Sequence, residues 1–267
     1  LNASTPAPAS VSAVRVCIAM LARDARVIRR EMVSFVVRTA LQPLLITIVF
    51  GFLLPHMGYV TSRYTAALLP GVLGICLAMS SLQAVALPMI TDFGYFREID
   101  DRLLAPIPIE VVAFEKVASG TLQGMLGGLL VLPIVRLIMG PIAGLDLLHS
   151  LEVVPVLLLS SAAFSALGLL LGTALQGQQI GLMFSIIVAP MMTFGCAYYP
   201  WQALRVVPVL QWLVLVNPLV YVSEALRAAL TPGMPHMPTV ISVSALVAIG
   251  LAFWFGGLRT FRKRALS

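Results

Sequence analysis

Charged residues are missing from residues 39–62, 64–91, 117–135, 153–204 and 228–258. A helix needs about 20 apolar residues to cross the hydrocarbon of a bilayer. Each run therefore holds one span, except 153–204, which is long enough for two. The pattern predicts an all-α polytopic membrane protein with six transmembrane helices, near residues 36–54, 64–87, 117–139, 151–171, 180–197 and 239–258.

Two regions break the rhythm. Ahead of the first span, Val14, Ile18, Leu21, Ala25, Ile28 and Met32 recur at helical spacing and share one face. Arg15, Arg23, Arg26 and Arg30 gather on a flank of the same helix. An apolar stripe beside an arginine face predicts an amphipathic interfacial helix over residues 11–35; packing on a soluble domain is the other reading. Residues 198–238 form the second irregular region. The apolar stretch 209–216 is bounded by Pro208 and by Asn217-Pro218, and eight helical residues reach only about 12 Å. Backbone at membrane depth that does not span must be buried in protein or line a cavity. The region thus reads as an external re-entrant helical hairpin before the last span, its second helix over residues 220–230, with Asn217 placed to cap that helix. Residues 1–10, rich in Ala, Pro and Ser, are expected to be disordered. The first fifteen residues lack a charged segment followed by an apolar core, so no cleavable signal peptide is expected there. Residues 259–267 read as a basic cytoplasmic tail after the 36–258 transmembrane domain.

Composition agrees with the pattern. The chain is 60% hydrophobic and 10% charged, against about 25% charged in soluble proteins. Its net charge of +6 does not mark a nucleic-acid binder, because the basic residues flank the spans. With six spans, all 17 Lys and Arg except Arg63, Arg136, Arg205 and Arg227 fall on one side. The positive-inside rule makes that side cytoplasmic and puts both termini there.

Catalytic constellations are absent from the pattern. His56, His149 and His236 are scattered through predicted external loops and read as interfacial polar residues, so no metal site is expected. Cys17, Cys76 and Cys196 are far apart and form no CxxC. Neither lysine, Lys116 or Lys263, follows a glycine, so the chain carries no phosphate-binding loop and needs no cofactor of its own. The span centres hold no ionisable group, which counts against ion-coupled transport. Gly120, Gly124 and Gly128 share one face, as do Gly168 and Gly172. Such faces suit close helix packing within the chain or, alternatively, a subunit interface. Glu224 and Arg227, three residues apart, are placed to pair at the outer surface, with substrate contact the other option. Phe184, Thr193, Phe194, Tyr198, Tyr199 and Trp201 are candidates for pathway lining or, equally, for a lipid-interface aromatic belt.

The largest polar insert, residues 92–116, can form a short amphipathic helix over 96–104, stopped by Pro106. Here the sequence resembles the ABC-2 family of bacterial exporter permeases. Glu98-Ile-Asp-Asp-Arg-Leu-Leu-Ala-Pro-Ile-Pro108 is similar to the family's loop between spans two and three. Asn217-Pro-Leu-Val-Tyr-Val-Ser-Glu-Ala-Leu-Arg227 is similar to its segment before the last span. The basic helix before span one fits its interfacial helix.

The resemblance runs from about residue 11 to 264 and implies an inner-membrane transport subunit, itself not an enzyme. Its partners would be two copies of a separate ATP-binding-cassette ATPase, carrying the ATP and Mg, and a second permease copy. Phe96, Glu98, Asp100, Asp101, Arg102, Leu103, Leu104 and Pro106 would form the helix that couples to the ATPase. Asn217, Pro218, Tyr221, Glu224 and Arg227 would belong to the outer gate. The implied substrate is amphipathic, lipid-linked or drug-like. The competing classes are an ion-coupled carrier or channel, a membrane enzyme, and a sensory or immunity subunit of the same fold.

Overall fold

A computed structural model describes residues 13–30, 32–59, 61–93, 108–139, 147–231 and 233–265. Among these residues every regular element is helical. Helix α1 covers Ala13–Arg30. Helix α2 begins as Met32–Ile46, continues through a π-helical stretch Thr47–Leu53 and closes at Leu54–His56. Helices α3 (Ser62–Thr91), α4 (Ile109–Met139) and α5 (Leu147–Ala174) follow. Helix α6 occupies Gly177–Thr193 and also turns π-helical, at Met183–Val188. A 3₁₀ segment, Trp201–Val206, leads into α7 (Pro208–Val216), α8 (Pro218–Leu230) and α9 (Thr239–Ala265).

Among the described residues four helices are long and apolar enough to cross a membrane, with cores at Ala67–Thr91, Ile109–Val135, Val153–Ala174 and Thr239–Ala265. Helices α7 and α8 add a fifth crossing only if the pair, bent by 99°, counts as one span. The expected count was six. The shortfall lies in the first and fifth predicted spans, whose apolar stretches Pro43–His56 and Gly177–Thr193 are shorter. Each falls short of the roughly 20 apolar residues a crossing needs, and each turns π-helical partway along.

The four long helices and α8 form the core. Helix α5 packs along both α3 and α9, α4 closes on α3 and α5, and α8 slots against α3, α5 and α9. Leu73, Leu77, Leu82, Leu157, Leu226 and Leu246 are all fully buried where these helices meet. Glycine makes the close approach possible. A Cβ on Gly124 would fall 1.8 Å from the Ser81 Oγ, and one on Gly172 would meet the Met89 Cβ at 2.7 Å. Both glycine faces therefore serve packing within the chain. By contrast α2 and α6 sit at the periphery. Val33, Val37, Leu41 and Leu45 form an exposed stripe on α2, and Leu182 and Ile186 are exposed on α6.

Two element boundaries move the chemistry. Helix α4 starts at Ile109, eight residues before the predicted span, so Glu110, Glu115 and Lys116 lie on a helix. Glu115 and Lys116 are buried, not solvated in a loop, and α1 packs on the same helix. There the Ser119 hydroxyl donates to Asp24 Oδ2 at 3.0 Å. Helix α9 runs on past Leu258 to Ala265, which carries the basic residues of the expected tail on a firm helical turn.

Candidate functional site

Residues 194–231 and 233–238 fold into a cap over one end of the bundle, and the cap is built around the elbow at Asn217. Asn217 is extended (φ −84°, ψ 117°) and caps α8 as the sequence suggests. Its Oδ1 accepts the Leu219 N–H at 2.9 Å, while its Nδ2 donates to the Met191 carbonyl at 2.7 Å. One side chain thus starts α8 and ties the elbow to the end of α6. Pro218 follows at the first helical position, where a missing N–H costs nothing. The Tyr221 hydroxyl donates to the Leu215 carbonyl at 2.8 Å, which holds α8 folded back toward α7.

Glu224 and Arg227 form an ion pair one turn further along α8, but not at an exposed surface: both side chains are 0% exposed. Glu224 Oε1, the atom paired with Arg227, accepts the Trp201 N–H at 2.8 Å. Oε2 accepts the Met237 N–H at 2.7 Å. Arg227 Nη2 donates to the Cys196 carbonyl at 3.0 Å. The expectation of exposure fails because the segments before and after the helix pair fold across α8 and cover it. Removing two charges from water is costly, and good geometry with further hydrogen bonds offsets that cost. Here the backbone supplies those bonds.

Two more contacts close the cap. Trp201 Nε1 donates to the Gln211 carbonyl at 2.9 Å, and Gln202 Nε2 donates to the His236 carbonyl at 2.9 Å. Residues 201–202 and 236–237 are thereby drawn together, so the chain enters and leaves the cap at neighbouring points. The turn leading in depends on two unusual residues. Cys196 has φ 52°, a left-handed conformation uncommon outside glycine, and its carbonyl is the one that Arg227 holds. Burial pushes the Cys196 thiol up to about 12, so the residue contributes its backbone and not a thiolate. Beneath it, a Cβ on Gly71 of α3 would lie 1.7 Å from the Ala197 carbonyl oxygen. Only glycine lets the turn rest there.

The lining candidates separate. Phe194 borders an apolar groove of about 410 Å³ with Ile187, Met191, Leu213, Val216 and Phe253. Thr193 is exposed but spends its hydroxyl on the Ala189 carbonyl. Phe184 and Tyr198 pack against the main core, and the Tyr198 ring lies 6.1 Å from that of Phe50 on α2. Tyr199 and Trp201 pack inside the cap with Cys196, Val214 and Val220. On α1, Arg23, Arg26 and Arg30 are exposed, and only the position of Arg15 on the helix is described. The candidate coupling residues Phe96, Glu98, Asp100, Asp101, Arg102, Leu103, Leu104 and Pro106 lie outside the described residues. Among the described residues no group of three His, Cys, Asp or Glu is arranged to hold a metal ion.

Sequence reasoning missed Cys196, Gln202, Gln211 and Met237. The available signal was Gly195, directly before Cys196, which marks a close approach: a Cβ there would meet the Leu219 side chain at 2.4 Å.

An apolar helical bundle with a bent helix pair strapped across one end is the architecture of a multi-pass membrane protein. Residues 15–231 match the family model for the ABC-2 type transporter, and the chain belongs to that family of membrane transport subunits. It is 29% identical over 195 residues to the inner membrane transport permease YadH of Escherichia coli strain K12, an alignment covering 72% of each chain. The same values hold for the proteins of that name in E. coli O157:H7 and Shigella flexneri.

Proposed function

We propose that this chain is the permease subunit of an ATP-driven exporter of the inner membrane, working with a separate ATP-binding-cassette ATPase. The observation that carries the reading is the family match across residues 15–231. The two lysines both lack a preceding glycine, so these residues offer no phosphate-binding loop, which supports an energy source on a partner chain if transport is active. In this reading α2 and α6 complete six spans with α3, α4, α5 and α9. A helical run over residues 32–56 reaches about 37 Å, and α6 about 25 Å. Both termini face the cytoplasm, as the basic residues ask, and the cap faces outward as the gate. The working unit holds two permeases and two ATPases, with α2 and α6 toward the shared pathway. Their exposed apolar faces suit a partner helix or lipid.

Residues 96–104 seat in the ATPase, with Asp100, Asp101 and Arg102 making polar contacts and Leu103 and Leu104 packing the helix down. ATP closure of the ATPase dimer moves these segments, and the spans transmit that motion to the cap. Substrate is amphipathic, lipid-linked or drug-like, in keeping with the apolar groove beside Phe194 and with a pathway free of ionisable groups.

Copurification with the candidate ATPase, followed by ATP turnover, tests the assignment. Leu103→Asp with Leu104→Asp should abolish copurification while the permease still inserts and folds. Unchanged association would remove the coupling role from this segment. A native chain that binds no ATPase would favour an ion-coupled carrier or a non-transporting subunit of the same fold.

A further inference from the structure

The end of the bundle opposite the cap carries its own junction, at the last turn of α9. Arg264 Nη1 donates to the carbonyls of Leu175 at 2.7 Å and Thr173 at 3.0 Å, at the C-terminal end of α5. A cation there also suits the negative end of the α5 dipole. The same guanidinium lies over the Phe93 ring, 4.8 Å from its centroid. Phe93 meets the buried Phe261 edge to face at 5.7 Å. The Thr260 and Thr173 hydroxyls are hydrogen-bonded at 2.6 Å, and Arg262 pairs with Glu110.

Phe93 lies two residues past the end of α3, and Glu110 is the second residue of α4. One helical turn of α9 therefore grips both flanks of the connection between α3 and α4. From that turn α9 runs without proline or interruption for 27 residues, about 40 Å. Two residues beyond its other end stands Met237, whose N–H is held by Glu224. A single helix joins the two junctions.

We propose that Arg264 is a positioning residue for coupling: it locks α9 to Phe93 on the α3 flank of the α3–α4 connection, so that α9 carries displacement there directly to the Glu224–Arg227 clasp in the cap. The proposal rests on the ATP-driven reading above. It differs from a plain capping role, in which Arg264 would stabilise the end of α5 and nothing more. Capping alone predicts a loss of stability with the response at the cap intact.

Trp201 reports on the cap, since both its backbone N–H and its indole N–H are bonded there. The experiment uses the full permease with its ATPase in lipid nanodiscs, with Trp212→Phe and Trp254→Phe leaving Trp201 as the sole permease tryptophan. Trp201 emission is recorded before and after a non-hydrolysable ATP analogue, beside ATPase association and thermal unfolding. The reference protein should show an analogue-dependent change. Arg264→Ala should keep the ATPase bound and cut that change several-fold. Phe93→Leu, which removes the ring and keeps the apolar bulk, should do likewise and decides the matter if Arg264→Ala does not fold. Full-amplitude responses in the folded variants, or a reference protein that binds the ATPase without any change at Trp201, would overturn the proposal. A reference protein that binds no ATPase would instead bring down the reading on which it rests.

Discussion

The two ends of the bundle each carry an arginine–carboxylate pair, and the pairs live in different solvents. In the cap, Glu224 and Arg227 are 0% exposed and their remaining hydrogen-bonding capacity goes largely to backbone groups of three separate segments. At the basic end, the side chains of Arg262 and Glu110 are 52% and 43% exposed. Burial therefore decides what each pair does. The cap pair holds segments together and cannot lose a member cheaply, whereas the exposed pair is screened by water and replaceable.

Breaking the cap pair should give the largest effect. Glu224→Leu strands the N–H groups of Trp201 and Met237 as well as the Arg227 charge, and should cost roughly 3–5 kcal/mol, read by thermal unfolding in detergent. Arg227→Met leaves those two N–H donors on the carboxylate and should cost less. Equal losses would mean that the backbone bonds contribute little. Gly71→Ala comes next, because its new methyl would meet a backbone carbonyl that has no rotamer to yield. A penalty of about 1–3 kcal/mol, with faster proteolysis in residues 194–200, is expected. Asn217→Ala should cost about 1 kcal/mol through loss of the cap; Asn217→Asp keeps the cap and gives up only the bond to Met191, so it should fall between. Arg262→Ala should leave the unfolding midpoint unchanged within error. A clear drop there would erase the distinction between the two ends.

The contrast also marks what the sequence could reveal. Charge-free runs located every long helix, and the Asn217-Pro218 pair located the 99° bend, since an extended residue before proline with a short polar side chain is a local signal. Glycine spacing located the packing faces of α4 and α5. Glu224 and Arg227 were identified as a pair but placed in water. Their burial comes from Cys196, Trp201 and Met237, which are 31, 23 and 13 residues from the members they bind, and helical periodicity carries no information at that range. The same holds for Glu115 and Lys116. Charge alone put them in a loop, while they lie buried on the first turns of α4.

π-helical stretches run through α2 and α6, two helices that keep exposed apolar faces. Such geometry is rare and is frequent at functional sites. Its consequence here is rotational. Returning the stretch to α geometry would turn everything beyond it about the helix axis, because an i→i+5 turn advances less per residue than an α turn, changing which side chains face a neighbour without unwinding the helix. Within their bounds α3, α4, α5 and α9 are α-helical throughout, so re-phasing of this kind is open to α2 and α6, each turning like a dial about its own axis.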